Sequence, residues 1–119
     1  MSTQQVATRL AELCNKGEFE QAQQELFAHD AVSIEMQETP QFKKETRGLK
    51  AIQEKGKQWA DGVEQVHAIS AGMPTVVGNA ISMPLTMDLT VKGRGRMKME
   101  ELCVYVVKDG KIASEQFFM

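Results

Sequence analysis

Three side chains stand out as proton carriers: Glu35, His67 and Glu101. Glu35 lies in the short run Ala31-Val32-Ser33-Ile34-Glu35-Met36, where alternation groups it with Ala31 and Ser33 and apart from Val32, Ile34 and Met36. Parity alone leaves open which of those faces is interior. Glu101 alternates with Met97, Met99, Cys103, Tyr105 and Val107, so a single acid interrupts a largely apolar face. A carboxyl among apolar neighbours gains proton affinity and can move a proton beside a carbonyl. His67 shares a parity with Val63, Ile69 and Ala71, and its ordinary titration range suits a shuttle facing either glutamate. Each has a bland counterpart: a solvated strand-end glutamate, or a histidine satisfied in core or surface.

A second set suits ligand contact. Asn79 is the one amide in the apolar parity class Val77, Ile81, Met83, Leu85, Met87 and could orient a ligand or a histidine. Met83 and Met99 belong to a methionine-rich set that adapts to varied apolar shapes, or simply fills a core or a dimer sheet. Trp59 and Phe42 could cap a pocket mouth, although Trp59 also fits the apolar stripe of a helix. Tyr105 is the only tyrosine, and Glu115 and Gln116 are the nearest polar groups to the last residue.

Other chemistries find little footing. His29 and His67 have no short-range metal-ligand spacing, so no metal is expected. His29 and Asp30 read as structural groups at a helix-strand junction. Cys14 and Cys103 form no CxxC and have no activating histidine nearby, so free, unreactive thiols are expected. There is no nucleotide-binding glycine pattern, and therefore no expected cofactor. A net charge of -2 gives no reason to expect nucleic acid or an anionic membrane. Lys92, Arg94, Arg96 and Lys98 read as a solvated hairpin rim. No run approaches membrane-spanning length and no secretory signal is visible, so a cytoplasmic chain is expected.

The elements that must position these groups follow from period and punctuation. At 119 residues the chain is read as one domain, 1–119. Helical spacing covers residues 4–14 and 18–27, broken at Gly17, and a third helix runs from Leu49 to Trp59 after Gly48. A short strand lies between, followed by a polar loop from Glu38 to Arg47. From Val63 onward the period is that of strands: 63–71, a long run 75–91 expected to bend at Gly78 and Pro84, then two runs joined by Lys108-Asp109-Gly110-Lys111. Asp-Gly there predicts a type I′ hairpin. Helices first and a meander of strands after them argue for an α+β fold.

Four stretches, Asn15-Lys16-Gly17-Glu18-Phe19-Glu20, Leu26-Phe27-Ala28-His29-Asp30-Ala31-Val32, Thr46-Arg47-Gly48-Leu49-Lys50-Ala51-Ile52 and Val107-Lys108-Asp109-Gly110-Lys111-Ile112, resemble the SnoaL-like branch of the NTF2-like superfamily. The resemblance covers nearly the whole chain. It implies a cone, in which a strongly curved, mostly antiparallel sheet wraps three N-terminal helices and opens into a deep pocket, commonly as a homodimer. It also implies relatives that include polyketide cyclases, ketosteroid isomerases, dehydratases and proteins without a catalytic role, so fold does not choose function.

By resemblance to the isomerases, Glu35 falls at the general base and Glu101, or Leu102 if the register slips, at the protonated acid that binds the enolate oxygen. Glu100 is expected outside. The isomerases' helix-1 tyrosine aligns with Leu10, and the cyclases' late aspartate has no counterpart after Asp109. Two classes of function follow. One is a cofactor-free acid/base enzyme on a small apolar or aromatic carbonyl compound. The other is a non-catalytic small-molecule-binding or dimeric interaction domain.

Overall fold

Val6, Leu10, Leu13 and Cys14 fall on one side of a helix, and α1 (Thr3–Asn15) buries all four. Its start is a capping box: Ser2 accepts from the Gln5 backbone N–H while the Gln5 side chain accepts from that of Ser2. After Gly17 the chain turns into α2 (Phe19–Leu26), which buries Ala22 and Leu26. The expected helix to Phe27 stops one residue earlier, because Phe27 is already extended and begins β1 (Phe27–Ile34). β2 (Glu45–Arg47) forms inside the stretch expected to be loop, and α3 (Leu49–Asp61) follows. Five further strands complete the chain: β3 (Val63–Ala71), β4 (Thr75–Val77), β5 (Ala80–Val91), β6 (Gly95–Lys108) and β7 (Lys111–Phe118). The computed structural model describes residues 1–119.

The strands form a single mixed sheet in the order β2-β1-β7-β6-β5-β3, with β4 paired to β5. β1 lies parallel to β7, and every other pair is antiparallel. One face carries alternating side chains of β5 (Ile81, Met83, Leu85, Met87, Leu89) and β6 (Cys103, Tyr105, Val107). These join α1, α2 and α3 in a core of 19 buried residues.

The expected strongly curved cone does not form. The strand path is open, ending at β2 on one side and β3 on the other, so the sheet does not close around the helices. The physical reason lies in the central pair. β5 and β6 stay in register from Ala80↔Val106 to Val91↔Gly95 with no bulge, and a ladder without an inserted residue has nothing to bend it sharply. Pro84, expected to bend this strand, sits in unbroken register opposite Leu102. Gly78 does more than bend the run. It turns β4 back on β5 at positive φ, so one expected strand becomes a hairpin. Register shifts fall instead on the flanks, between β1 and β7, β3 and β5, and β6 and β7.

The Asp109-Gly110 turn is as expected, with φ of 52° and 77°. An added Cβ on Gly110 would also lie 3.0 Å from the backbone N and O of Met1. Gly110→Ala should therefore destabilise the chain by about 1–2 kcal/mol, read as a lower urea midpoint at unchanged slope. An unchanged midpoint would mean that this turn does not hold the terminal hairpin.

Candidate active site

The inner face of β1 carries small and polar residues, against what its apolar alternates suggest. Ala31 and Ser33 are fully buried, whereas Val32 and Ile34 are half-buried and Met36 is exposed. Glu35 follows Ser33 on that same parity. Its backbone N–H donates to the Lys44 carbonyl at 2.7 Å, which pins the carboxylate at the root of the loop that follows.

α3 is laid across β1 from its first residue. Gly48 precedes the helix at φ 95° and donates its N–H to the Ala31 carbonyl at 2.8 Å. Three residues after the buried Ile52, on the same side of the helix, comes Lys55. Its ammonium donates to Ser33 Oγ at 2.7 Å and to Glu35 Oε1 at 2.9 Å, with the side chains of Lys55 and Glu35 only 14% and 26% exposed. The same Nζ lies 5.7 Å from the centroid of the Phe117 ring, a further favourable contact for a desolvated cation.

Glu115 arrives through a bulge. Val106 pairs with Ser114 but Val107 pairs with Ile112, leaving Ala113 as the extra residue in β7. That insertion switches the strand's parity, so Ile112 and Glu115 are both buried although odd and even positions should part. Glu115 then stands in register between Ser33 of β1 and Tyr105 of β6. Burial raises its pKa to about 7, against a smaller lowering by the Ser33 hydroxyl and the Lys55 charge. Glu101 is on the inner face too. Its pKa is raised by burial and then by the Glu35 charge, while the Cys103 thiol donates to its Oε1 at 3.8 Å. Leu102, the alternative register, points outward and is exposed, as is Glu100.

Glu35 and Glu101 are thus brought together, with Ser33, Lys55 and Glu115 beside them. His67 is not. It is the extra residue of a bulge in β3, exposed, with Nε2 2.7 Å from Thr90 Oγ1 on the outer side of the sheet. Asn79 is exposed in the β4–β5 turn, where its carbonyl accepts from Val107 N–H. Gln116 pairs with Ile34 and Val104 on the outer parity, one step away from Glu115. Met83 is core, in register with Cys103, and Met99 packs half-buried against that core. Trp59 meets Phe19 edge-on at 6.3 Å, fastening α3 to α2. Tyr105 is buried beside Glu115, and burial holds its phenol neutral.

Sequence reasoning missed Lys55, Ser33 and Glu115 as a set. Only Lys55 left a usable signal, its place three residues after Ile52 on an apolar helix face. Burial raises the Cys14 thiol to about 12 and pushes that of Cys103 up as well, so neither is a thiolate near neutral pH. No group of three or more His, Cys, Asp or Glu side chains is arranged to hold a metal ion. No helix is long and apolar enough to cross a membrane.

The expected deep pocket is not found in either of two surface depressions. One, of about 610 Å³, is lined by Arg9 and residues around the start of α2, and the other, of about 360 Å³, by Asp30, Lys108, Asp109 and neighbours. Neither touches the carboxyl cluster, which meets solvent at Glu35.

The family model of the SnoaL-like domain matches residues 1–119, and the chain belongs to that family within the NTF2-like superfamily, related to polyketide cyclases and ketosteroid isomerases. A protein from Mesorhizobium loti, provisionally described as a SnoaL-like polyketide cyclase [carbohydrate phosphatase], is 31% identical over 100% of both chains with a TM-score of 0.92. A Xanthomonas campestris protein of unknown function with a cystatin-like fold is 18% identical, covering 99% of this chain and 90% of that one, with a TM-score of 0.82. A Catenulispora acidiphila protein with a ketosteroid isomerase-like fold, in complex with trimethylamine, is 14% identical over 99% and 87% of the two chains, with a TM-score of 0.75. These last two speak to the fold alone. No curated protein matches the chain.

The buried acid has a consequence for stability. Glu115 binds its proton more tightly folded (about 7) than unfolded (4.5), so between those values the folded state holds more protons. Stability therefore falls as pH rises through that window and is level above it, by at most about 3 kcal/mol. The raised pKa of Glu101 acts with the same sign. Glu115→Gln should flatten the decline in urea midpoint from pH 5 to pH 8. A wild-type midpoint that does not fall over that range would show Glu115 to be charged throughout.

Proposed function

We propose that this chain is a cofactor-free acid/base enzyme that moves a proton on a small apolar or aromatic carbonyl compound, as an isomerase, cyclase or dehydratase does. The observation that carries the reading is the convergence of Glu35, Glu101 and Glu115 with one ammonium on a single sheet face. The three carboxyls differ in environment in the way acid/base pairs require: Glu35 is ion-paired and reaches solvent, while burial raises the proton affinity of Glu101 and Glu115. In this scheme the Glu35 carboxylate removes a proton from the carbon next to the carbonyl. The Glu101 carboxyl, still protonated, donates a hydrogen bond to the developing enolate oxygen, and Glu35 returns its proton to the substrate. One such donor contributes about 3–4 kcal/mol to a transition state in a water-poor site. It matters here because Leu10, buried in the core, occupies the helix-1 position where the isomerases carry a second donor. Phe117, half-buried beside the Lys55 ammonium, favours an apolar substrate.

The test is deuterium incorporation next to the carbonyl of a panel of apolar and aromatic ketones in D2O, followed by proton NMR. The wild type should exceed buffer, Glu35→Gln should lose about 10²–10⁴-fold, and Glu101→Leu should lose more than Glu101→Gln, which keeps a donor. Equal rates for the wild type and Glu35→Gln would leave a non-catalytic binding domain as the better reading.

The same proposal includes a homodimer formed through the outer sheet face. Leu102 lies in register with Pro84 and Phe118 there, and Leu102, Val106 and Phe118 are 42%, 38% and 41% exposed. Leu102→Asp should weaken self-association at least about tenfold in sedimentation. A wild-type chain that sediments as a monomer at about 100 μM rules the dimer out.

A further inference from the structure

Taking the carboxyl cluster to be the working site proposed above, we infer that Ser33 and Lys55 form a positioning bridge that links the protonation of Glu115 to that of Glu35. The direction of both Lys55 hydrogen bonds is dictated by chemistry. An ammonium has only donors, so at 2.7 Å from Lys55 Nζ the Ser33 oxygen must be the acceptor. The Ser33 hydrogen is then free to donate elsewhere. Ser33 has no exposed surface, and a buried hydroxyl needs a partner inside the protein. Its cross-strand neighbour on the inner face is Glu115, whose charged form the Ser33 hydroxyl stabilises. On the other side the same ammonium donates to Glu35 Oε1 at 2.9 Å. The contacts therefore run Glu35 ← Lys55 → Ser33, with Glu115 across the strands from Ser33, so a solvent-reaching carboxylate stands at one end and a buried acid at the other.

One cation serves two carboxyls, and this sets the logic. While Glu35 is charged it takes a share of the ammonium, and its charge raises the proton affinity of Glu115. Once Glu35 accepts a proton, the Lys55 charge acts on Ser33 and Glu115 alone, and a polarised hydroxyl is a stronger donor to a carboxylate. Proton uptake at the outer carboxyl thus makes the inner one a stronger acid, and releasing its proton leaves the total charge of the cluster unchanged. Two carboxyls joined in this way titrate as a pair. The other groups facing Glu115 are Glu101, Cys103 and Tyr105 from β6 and Cys14 from α1. None of them joins both carboxyls by hydrogen bonds.

Direct repulsion between Glu35 and Glu115 would also couple them, and it would survive loss of the Ser33 hydroxyl. Side-chain carboxyl carbon shifts of the glutamates, followed by NMR from pH 4 to pH 9 on the full, ligand-free chain, separate the two cases. In the wild type, Glu35 should show a second inflection at the midpoint of Glu115. Ser33→Ala should raise the Glu115 midpoint by about one pH unit, a tenfold gain in proton affinity, and at least halve the Glu35 inflection. Ser33→Thr should restore both. Lys55→Met, which leaves the strand register and the Ser33 hydroxyl itself in place, should raise the Glu115 midpoint and remove the inflection. A folded Ser33→Ala or Lys55→Met chain that keeps both the midpoint and the inflection overturns the bridge. No substrate is turned over in this experiment. A missing bridge therefore leaves the proton-exchange result standing, and absent proton exchange with an intact bridge overturns only the enzyme reading.

Discussion

A carboxyl removed from water must either keep its proton or find a cation, and the inner face of this sheet is arranged around that constraint. Three glutamates approach one lysine. Lys55 satisfies Glu35 directly, at 2.9 Å, and touches Ser33 at 2.7 Å, while burial raises the proton affinity of the two acids nearer the core. Had the lysine been solvated, Glu35 would be an ordinary loop-root carboxylate and the face a plain apolar core. With it, acids of unlike proton affinity stand side by side on a rigid support, which is the condition for passing protons near neutral pH.

Two backbone devices hold this arrangement. The Ala113 insertion in β7 reverses parity and brings Glu115 to the row Ser33–Glu115–Tyr105–Ile81, which crosses four adjacent strands. The left-handed Gly48 joins α3 to β1 by a hydrogen bond to Ala31, so that Lys55, two turns later, arrives over Ser33. Neither device contributes a reacting group, yet each decides which side chains meet. The rigid ladder between β5 and β6 supplies the floor. Its unbroken register keeps Glu101, Cys103 and Tyr105 on one face, and it is also why the sheet stays open and does not wrap the helices.

The helices were legible from period and caps, because α1, α2 and α3 follow their apolar spacing to within two residues at each end. The Asp109-Gly110 turn was equally plain, since few residue pairs accept two positive φ angles in succession. Alternation placed Glu101 on a largely apolar face, which works where a strand is regular, and left the face of Glu35 open. It does not hold for His67, the extra residue of a bulge, and it could not have reached Glu115, which lies beyond another. A bulge shifts parity by one residue, and Ala113 carries no compositional mark that would announce it.

By itself the sequence determined what depends on neighbours along the chain: where helices start and stop, where the last hairpin turns, and which acids sit among apolar alternates. Those follow from dihedral preferences and from the periods of 3.6 and 2. Only the tertiary structure decided which face of β1 is interior, where β7 slips by one residue, and that a lysine on α3 would end between a serine and a glutamate some twenty residues upstream. These depend on contacts between segments distant in sequence, where no local period operates. The meeting of Glu35, Lys55, Ser33 and Glu115 is therefore a property of the assembled sheet and helix, and no one of the three segments that carry them contains it.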